Sequence, residues 1–314
     1  MPKQAIQILL ANPRGFCAGV EMAVECLDRA LEQFGAPVFV YHYIVHNRFI
    51  VEEFERRGAL FVNELKEVPN GAPVLFSAHG VAPDIRLESR NKGLRIVDTT
   101  CPLVTKVHRE VRQFVQNGYT TLLIGHRGHD EVVGILGECD GIILIETGAE
   151  AETVSVADES RVAYTTQTTL SLDDCSAILD VLRRRFPNLQ GPPVDDICYA
   201  TQNRQRAVRA LASVSDTAIV IGSQSSSNTL RLVEIAKSAG IPAYRIDGPE
   251  EIDWEWVANT KVLLITAGAS VPENLVQRTV QALKTRLNVT VEEQESKPEL
   301  VHFPLPELVA ASSR

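Results

Sequence analysis

Ile6-Gln7-Ile8-Leu9-Leu10-Ala11 is a short apolar run that leads through Asn12-Pro13-Arg14-Gly15-Phe16 into Cys17-Ala18-Gly19 and then into the amphipathic stretch Val20–Phe34. A β-branched run of this length, broken by Pro and Gly and followed by helical periodicity, reads as strand, loop and helix, with the cysteine at the strand's carboxyl end. The pattern returns. Arg95-Ile96-Val97 leads to Thr99-Thr100-Cys101-Pro102 before Leu103–Asn117, and Asp196-Ile197-Cys198-Tyr199 precedes Gln202–Val214. Cys17, Cys101 and Cys198 thus divide the chain into thirds.

Each cysteine is followed by two polar clusters at similar distances. The first, roughly 30 residues on, comprises His46–Asn47, His129–Glu131 or Ser226–Asn228; the second, about 60–70 residues on, is marked by His79, Thr168 or Ser270. Such a recurrence reads as a triplicated unit in which every copy delivers one thiol and two polar loops to a common centre.

Further apolar runs at Val38–Val45, Val74–Ala78, Thr120–Gly125, Ile142–Ile145, Val162–Tyr164, Ala218–Gly222, Ala243–Ile246 and Val262–Thr266 alternate with helical patterns at Leu172–Phe186, Leu230–Ala239 and Glu273–Leu287. Continuous apolar strands alternating with helices predict an α/β fold with parallel sheets covered on both faces. The seams are expected near Gly93 and in the Pro- and Asp-rich stretch Pro187–Asp196. The expected lobes are 1–93, 94–191 and 192–290, and 291–314 is expected to be a tail without chemistry. In open α/β sheets ligands bind beyond the carboxyl ends of strands, where the polar clusters fall.

The chain has 314 residues, a size that suits two or three domains. A net charge of −9 argues against bulk binding to nucleic acid or to an anionic membrane. No apolar run is long enough to span a bilayer, and Ile6–Ala11 is too short for a secretory signal, so a cytoplasmic protein is expected. Six cysteines without CxxC spacing exclude the common zinc-ribbon, thioredoxin and bacterial ferredoxin patterns. Any metal site must gather distant ligands. Taken singly, each cysteine reads as a small buried apolar residue. The shared spacing instead makes Cys17, Cys101 and Cys198 a ligand set for an iron–sulfur cluster or zinc, with Gly15 and Gly19 permitting close backbone approach. Cys26, Cys139 and Cys175 lack such partners and read as structural.

His46, His79, His129, Ser226, Ser227, Asn228 and Ser270 are short donors suited to a phosphate or diphosphate, although Ser226 and Asn228 fit equally well as helix caps. No P-loop or Gly-x-Gly-x-x-Gly fingerprint is present. Glu131 reads either as a helix N-terminal carboxylate or, beside an anion and a metal, as a protonated donor.

The segments Asn12–Gly19, Val45–Arg48, Phe76–Gly80, Thr100–Lys106 with His108, Ile124–His129, Thr166–Ser171, Asp195–Tyr199, Gly222–Asn228 and Thr266–Ser270 closely resemble the LytB family of hydroxymethylbutenyl diphosphate reductases, enzymes of the methylerythritol phosphate isoprenoid pathway. The resemblance implies three pseudo-threefold-related α/β lobes around a central [4Fe-4S] cluster. Cys17, Cys101 and Cys198 would hold it, leaving one iron without a cysteine for the substrate hydroxyl. His46, His79, His129, Thr168, Thr169, Ser226, Ser227, Asn228 and Ser270 would bind an allylic diphosphate, with Glu131, Thr168 and His129 acting at the reacting end. The implied activity is removal of the hydroxyl with two electrons and two protons, giving isopentenyl and dimethylallyl diphosphates and water. Ferredoxin or flavodoxin is the implied electron donor. Asp130 stands where the family usually has Pro, and it is expected to loosen the loop and to place a second negative charge beside Glu131. An alternative of another class is a zinc-stabilised binding module for phosphorylated metabolites, using the three cysteines and a histidine.

Overall fold

The computed structural model describes residues 5–294 and 299–306. In chain order the regular elements are β1 (Ile6–Leu10), α1 (Ala18–Phe34), β2 (Val38–Tyr41), α2 (Arg48–Arg56), β3 (Ala59–Val62), β4 (Pro73–Phe76), α3 (Pro83–Asn91), β5 (Arg95–Asp98), α4 (Pro102–Gln116), β6 (Thr120–Ile124), α5 (Asp130–Leu136), β7 (Ile143–Ile145), α6 (Gly148–Thr153), β8 (Val162–Thr166), α7 (Leu172–Arg185), α8 (Tyr199–Ala212), β9 (Thr217–Ile221), α9 (Ser227–Ser238), β10 (Ala243–Ile246), β11 (Val262–Ala267), α10 (Glu273–Arg286) and β12 (Val289–Glu293). The expected strands and helices are present with small shifts at their ends. α2, α3, α6, β3 and β12 were not anticipated. Val38–Val45 is not one strand: His42 takes φ 58, the left-handed region, and ends β2 at Tyr41.

The strands form three parallel sheets, ordered β10-β9-β11-β1-β12, β3-β2-β4-β5 and β7-β6-β8. In the third, an isolated parallel bridge joins Ala163 of β8 to Gln190 on the segment leading to Cys198. All three sheets therefore share one plan. The strand before the first polar cluster (β9, β2 or β6) lies second, beside the strand before the second cluster (β11, β4 or β8). Next to that comes the segment that leads to a cysteine: β1, β5 or the Gln190 bridge. Each sheet thus takes its cysteine strand from the following third, so the sheets are offset by one strand from the expected seam at 93. The physical reason is the crossover rule: a βα unit packs its next strand back onto the sheet it has just left, and only after that strand does the chain move on.

The described residues divide into two compact units. One contains residues up to Ala18, His46–Ile50 and Tyr199–Val301, and holds the five-stranded sheet; the other contains Gly19–Val45, Val51–Cys198 and the described residues from His302, and holds the remaining two. The first unit has its core on both faces of its sheet: Ile8, Ile219, Ile265, Val276 and Leu283 on one side, and Val208, Val220, Leu232 and Leu264 on the other. Alternate residues of one strand feed opposite cores, as parallel sheets with two buried faces require. In the second unit, Leu122, Ile124, Ile178, Leu182 and Phe186 pack on one face of its three-stranded sheet, and Val107, Val111, Leu123 and Ile135 on the other.

The tail expected from 291 begins inside β12, which pairs in parallel with β1 over Ile6–Leu10. Residues 295–298 and 307–314 of that tail lie outside the described residues. Among the described residues, no helix is long and apolar enough to cross a membrane.

Candidate functional site

In the first unit the loop after β1 is held by main chain. Gly15 and Cys17 donate their N–H groups to the carbonyls of Ala267 (3.3 Å), the last residue of β11, and Ala269 (3.2 Å), just beyond it. Gly15 has φ 65, and a Cβ there would lie 2.9 Å from the Val271 carbonyl, so the turn needs glycine. Arg204 of α8, fully buried, donates to the Gly15 carbonyl through Nε (3.1 Å) and Nη2 (2.8 Å), and to the Phe16 carbonyl through Nη2 (3.1 Å). Its charge is met by Glu299, 3.1 Å from Nη1. A planar fork of donors fixes several acceptors at once, which a lysine in its place would not do.

The other polar loops of this unit interlock. Asn228 accepts from the Ala269 N–H (2.9 Å), the Ser270 hydroxyl donates to the His46 carbonyl (2.9 Å), and Arg48 N–H donates to Ser223 Oγ (3.0 Å). Ser226 caps α9 by accepting from Thr229 N–H (3.3 Å), so the capping reading holds for it, while its own O–H is a separate donor. Asn47 accepts from Ile50 N–H (3.1 Å) at the start of α2 and is likewise a cap. His46, Ser226, Ser227, Asn228 and Ser270 are thereby gathered with Cys17 in one unit.

The second unit gathers His79, His129, Glu131, Thr168 and Thr169 with Cys101 and Cys198. His129 is the N-cap of α5: its Nδ1 accepts the Glu131 N–H at 3.2 Å, which leaves the proton of the neutral ring on Nε2. Its ring stands edge-on to that of His79, 5.7 Å between centroids, and Ser77 Oγ lies 3.3 Å from His79 Nδ1. Glu131 is 1% exposed. Oε1 accepts the Thr168 N–H (2.7 Å) and Oε2 the Thr168 hydroxyl (3.0 Å). Burial pushes its carboxyl up to about 7 despite these two bonds, and the charge of Asp196 adds to the rise. Asp130 does not act on it as expected from sequence. Its carboxylate turns to His42, Oδ1 lying 2.7 Å from Nδ1, and holds that imidazole above its ordinary range.

Asp196 is itself buried. It pairs with Lys106 (2.6 Å) and accepts from Thr166 N–H (3.1 Å); burial and the nearby Glu110 push its carboxyl up against the pull of Lys106. Gln167, completely buried, accepts from His126 N–H (3.0 Å) and donates to Thr169 Oγ1 (2.9 Å), tying the loop after β6 to the loop after β8. Arg204, Gln167, Asp196 and His42 were not singled out from sequence. Arg204, Gln167 and Asp196 lie in polar or helical stretches whose periodicity gives no sign of burial, and His42 was absorbed into the apolar run Val38–Val45.

One hydrogen bond recurs at every cysteine. Cys17 N–H donates to Ala269 O beside Ser270, Cys101 N–H to Ala78 O beside His79 (3.0 Å), and Cys198 N–H to Thr168 O (3.0 Å). Each thiol loop is tied to the second polar loop of the preceding repeat in cyclic order. Each cysteine also immediately precedes a helix (α1, α4 or α8), so the positive end of a helix dipole stands near the sulfur and would stabilise it as a metal-bound thiolate. None of the three is in a disulfide, and all are partly exposed. A Cβ at Gly19 would lie 2.7 Å from the Cys101 sulfur, so the backbone keeps the space beside that thiol clear. By contrast, burial raises the thiols of Cys26 and Cys175, to about 11 and about 12. Soft sulfur donors at helix N-termini, with glycine beside them, suit an iron–sulfur cluster.

The model of the LytB protein family matches residues 8–284. The chain is 52% identical to the 4-hydroxy-3-methylbut-2-enyl diphosphate reductase of Azoarcus sp. (strain BH72), covering 96% of each chain, and 49% identical to that of Rhodopirellula baltica, covering 98% of this chain and 96% of the relative. Among solved structures, the E-1-hydroxy-2-methyl-but-2-enyl-4-diphosphate reductase of Plasmodium falciparum superposes with a TM-score of 0.93 at 35% identity, over 97% of this chain and 96% of that one. A second solved (E)-4-hydroxy-3-methyl-but-2-enyl diphosphate reductase, described as the terminal enzyme of the non-mevalonate pathway, gives 0.65 at 32% identity over 89% of this chain and 99% of the other. With its family model spanning most of the chain and its cysteine loops built on one repeated plan, the chain belongs to the LytB family.

Proposed function

We propose that this chain is a 4-hydroxy-3-methylbut-2-enyl diphosphate reductase that removes the allylic hydroxyl to give isopentenyl and dimethylallyl diphosphates in the last step of the methylerythritol phosphate pathway. The observation that carries the chemistry is the Glu131–Thr168 pair: a buried carboxyl, neutral up to about pH 7, bonded to a threonine whose own carbonyl accepts the Cys198 N–H. Cys17, Cys101 and Cys198 would hold a [4Fe-4S] cluster with one iron free of cysteine. Such a cluster supplies single electrons and an open coordination position for an oxygen ligand.

The chain's residues do the rest. His46, His79, His129, Ser226, Ser227, Asn228 and Ser270 would bind the diphosphate by donating hydrogen bonds to its charged oxygens. Thr168 would orient the hydroxyl, with Thr169 beside it, and Glu131 would hold the proton that leaves with that hydroxyl as water. The allylic C–O bond breaks, two electrons enter, and a second proton goes to carbon. A ferredoxin or flavodoxin would supply the electrons in the cytoplasm. The segments 1–93, 94–191 and 192–290 are units in the sense that each delivers one thiol, whichever sheet its strands join.

An anaerobic assay with the hydroxylated diphosphate and a chemical reductant tests the reading: brown protein should turn over, and Glu131→Gln should lose at least about 10²-fold while still binding substrate. Colourless protein with stoichiometric zinc and no turnover would favour the binding-module alternative.

A further inference from the structure

His42 is the only described non-glycine residue with positive φ (58°). It follows β2, stacks on Tyr41 with ring centroids 4.3 Å apart, and sends Nδ1 to within 2.7 Å of Asp130 Oδ1. Asp130 is the first residue of α5, placed between His129, which caps that helix, and Glu131, whose N–H the cap accepts. Both partners are less than a third exposed, so solvent screening is incomplete. The ring also hydrogen-bonds the backbone at Asn63, a contact that favours the protonated imidazole as the carboxylate does. The other ionisable groups nearby are His79 after β4, with a ring nitrogen within 4.8 Å of an Asp130 carboxylate oxygen, Tyr41 on β2, Glu64 after β3 and Glu88 on α3. The last two act on the Tyr41 hydroxyl together with Asp130, so the surroundings of the ring carry negative charge.

We propose that His42 and Asp130 form a pH-sensitive positioning clamp on the first turn of α5. The charged imidazole fixes Asp130, and through the two adjoining peptides it fixes the His129 cap and the direction of the Glu131 carboxyl. The clamp rests on the reductase reading only for its effect on turnover; the pairing itself does not. Being a histidine gaining a partner, the clamp is closed below the ordinary histidine range and opens as pH rises through the elevated value of His42.

The test uses cluster-loaded protein and the variants Asp130→Asn and His42→Asn. Asparagine tolerates left-handed φ, so the second variant removes the imidazole without straining the turn. At about pH 6, turnover should fall about fivefold in each variant with KM little changed, a loss of the size expected for a partly screened pair. At about pH 9 the ratio to wild type should approach one, because His42 is then neutral in the parent too. The double variant should be no slower than the slower single one. Independently of turnover, the imidazole ¹⁵N titration of His42 should have its midpoint above the ordinary value of about 6.5 and return towards it in Asp130→Asn. A His42 midpoint unmoved by Asp130→Asn, or a variant-to-wild-type ratio flat across pH, overturns the clamp. Wild-type protein that carries its cluster and reduces nothing overturns the functional reading instead, while the titration still decides the pairing.

Discussion

The role proposed for Glu131 sets two opposed requirements on one side chain: a proton donor must be neutral near the working pH, yet a carboxyl next to a helix N-terminus ordinarily ionises. Complete burial decides the contest. It outweighs both Thr168 hydrogen bonds and lifts the carboxyl to about 7. Turnover should therefore fall as pH rises through that value. Stability carries the same signature. Between the ordinary glutamate value and about 7 the folded state holds a proton that the unfolded chain has released, so folding loses stability as pH rises across that window. Glu131→Gln removes this penalty and should melt higher than wild type at about pH 8, with the advantage vanishing at about pH 4.5 and below, where both side chains are neutral. Thermal melts at both ends of the window check this, and a difference independent of pH would refute it. The sequence marked Glu131 as a candidate proton donor but did not reveal what sets its acidity. Asp130, its neighbour in the chain, points to His42, whereas Asp196, far off in sequence, contributes to the shift.

The strand–cysteine–helix element was legible because its parts are local: an apolar run, a Gly- or Pro-marked loop and an amphipathic stretch. α3 was missed because Pro83–Asn91 is mostly polar, with only Ser89 buried, so no apolar stripe announces it. β3 and β12 are edge strands: β3 is a four-residue run in which Leu60 is exposed, and β12, with Thr290, Glu292 and Glu293, is mostly exposed and lacks an apolar run. The recurrent bond from each cysteine N–H lies between residues about 20–250 positions apart and could not be read from spacing. At this scale the thiol loops make a sharp prediction. Cys17→Ser, Cys101→Ser or Cys198→Ser should remove most of the iron, whereas the same change at Cys26, Cys139 or Cys175 should leave it. Gly19→Ala should behave like the first group, because its methyl would lie 2.7 Å from the Cys101 sulfur. Iron and sulfide analysis after anaerobic reconstitution distinguishes the groups, and full iron in Cys101→Ser or Gly19→Ala would remove that loop from the cluster site.

For the whole chain, the threefold recurrence of cysteines was visible, but the cyclic exchange of strands was not, since no pattern within β1 specifies which sheet it joins. That exchange closes the chain on itself: β1, from the N-terminal end, lies between β11 and β12, from the C-terminal end. The segment after β12 continues the closure. Glu299 accepts from Asn203 Nδ2 (2.8 Å) and faces Arg204 Nη1 (3.1 Å), and Arg204 grips the carbonyls just before Cys17. The tail expected to lack chemistry thus supplies the counter-charge for a buried cation. Removing one partner of a buried pair costs about 3–5 kcal/mol when the survivor is left bare; here Arg204 keeps its carbonyl acceptors and Glu299 is partly exposed, so about 1–2 kcal/mol is expected. Glu299→Gln, which keeps the shape and one acceptor oxygen but removes the charge, should lower the unfolding free energy by that amount. Truncation after Gln294 should do at least as much. Combining Glu299→Gln with Arg204→Met should cost less than the two changes separately, because the second removes the charge that the first leaves unbalanced. Urea denaturation of the four proteins tests this. Strict additivity would mean that Arg204 is held by the Cys17 loop alone and that the tail only covers it.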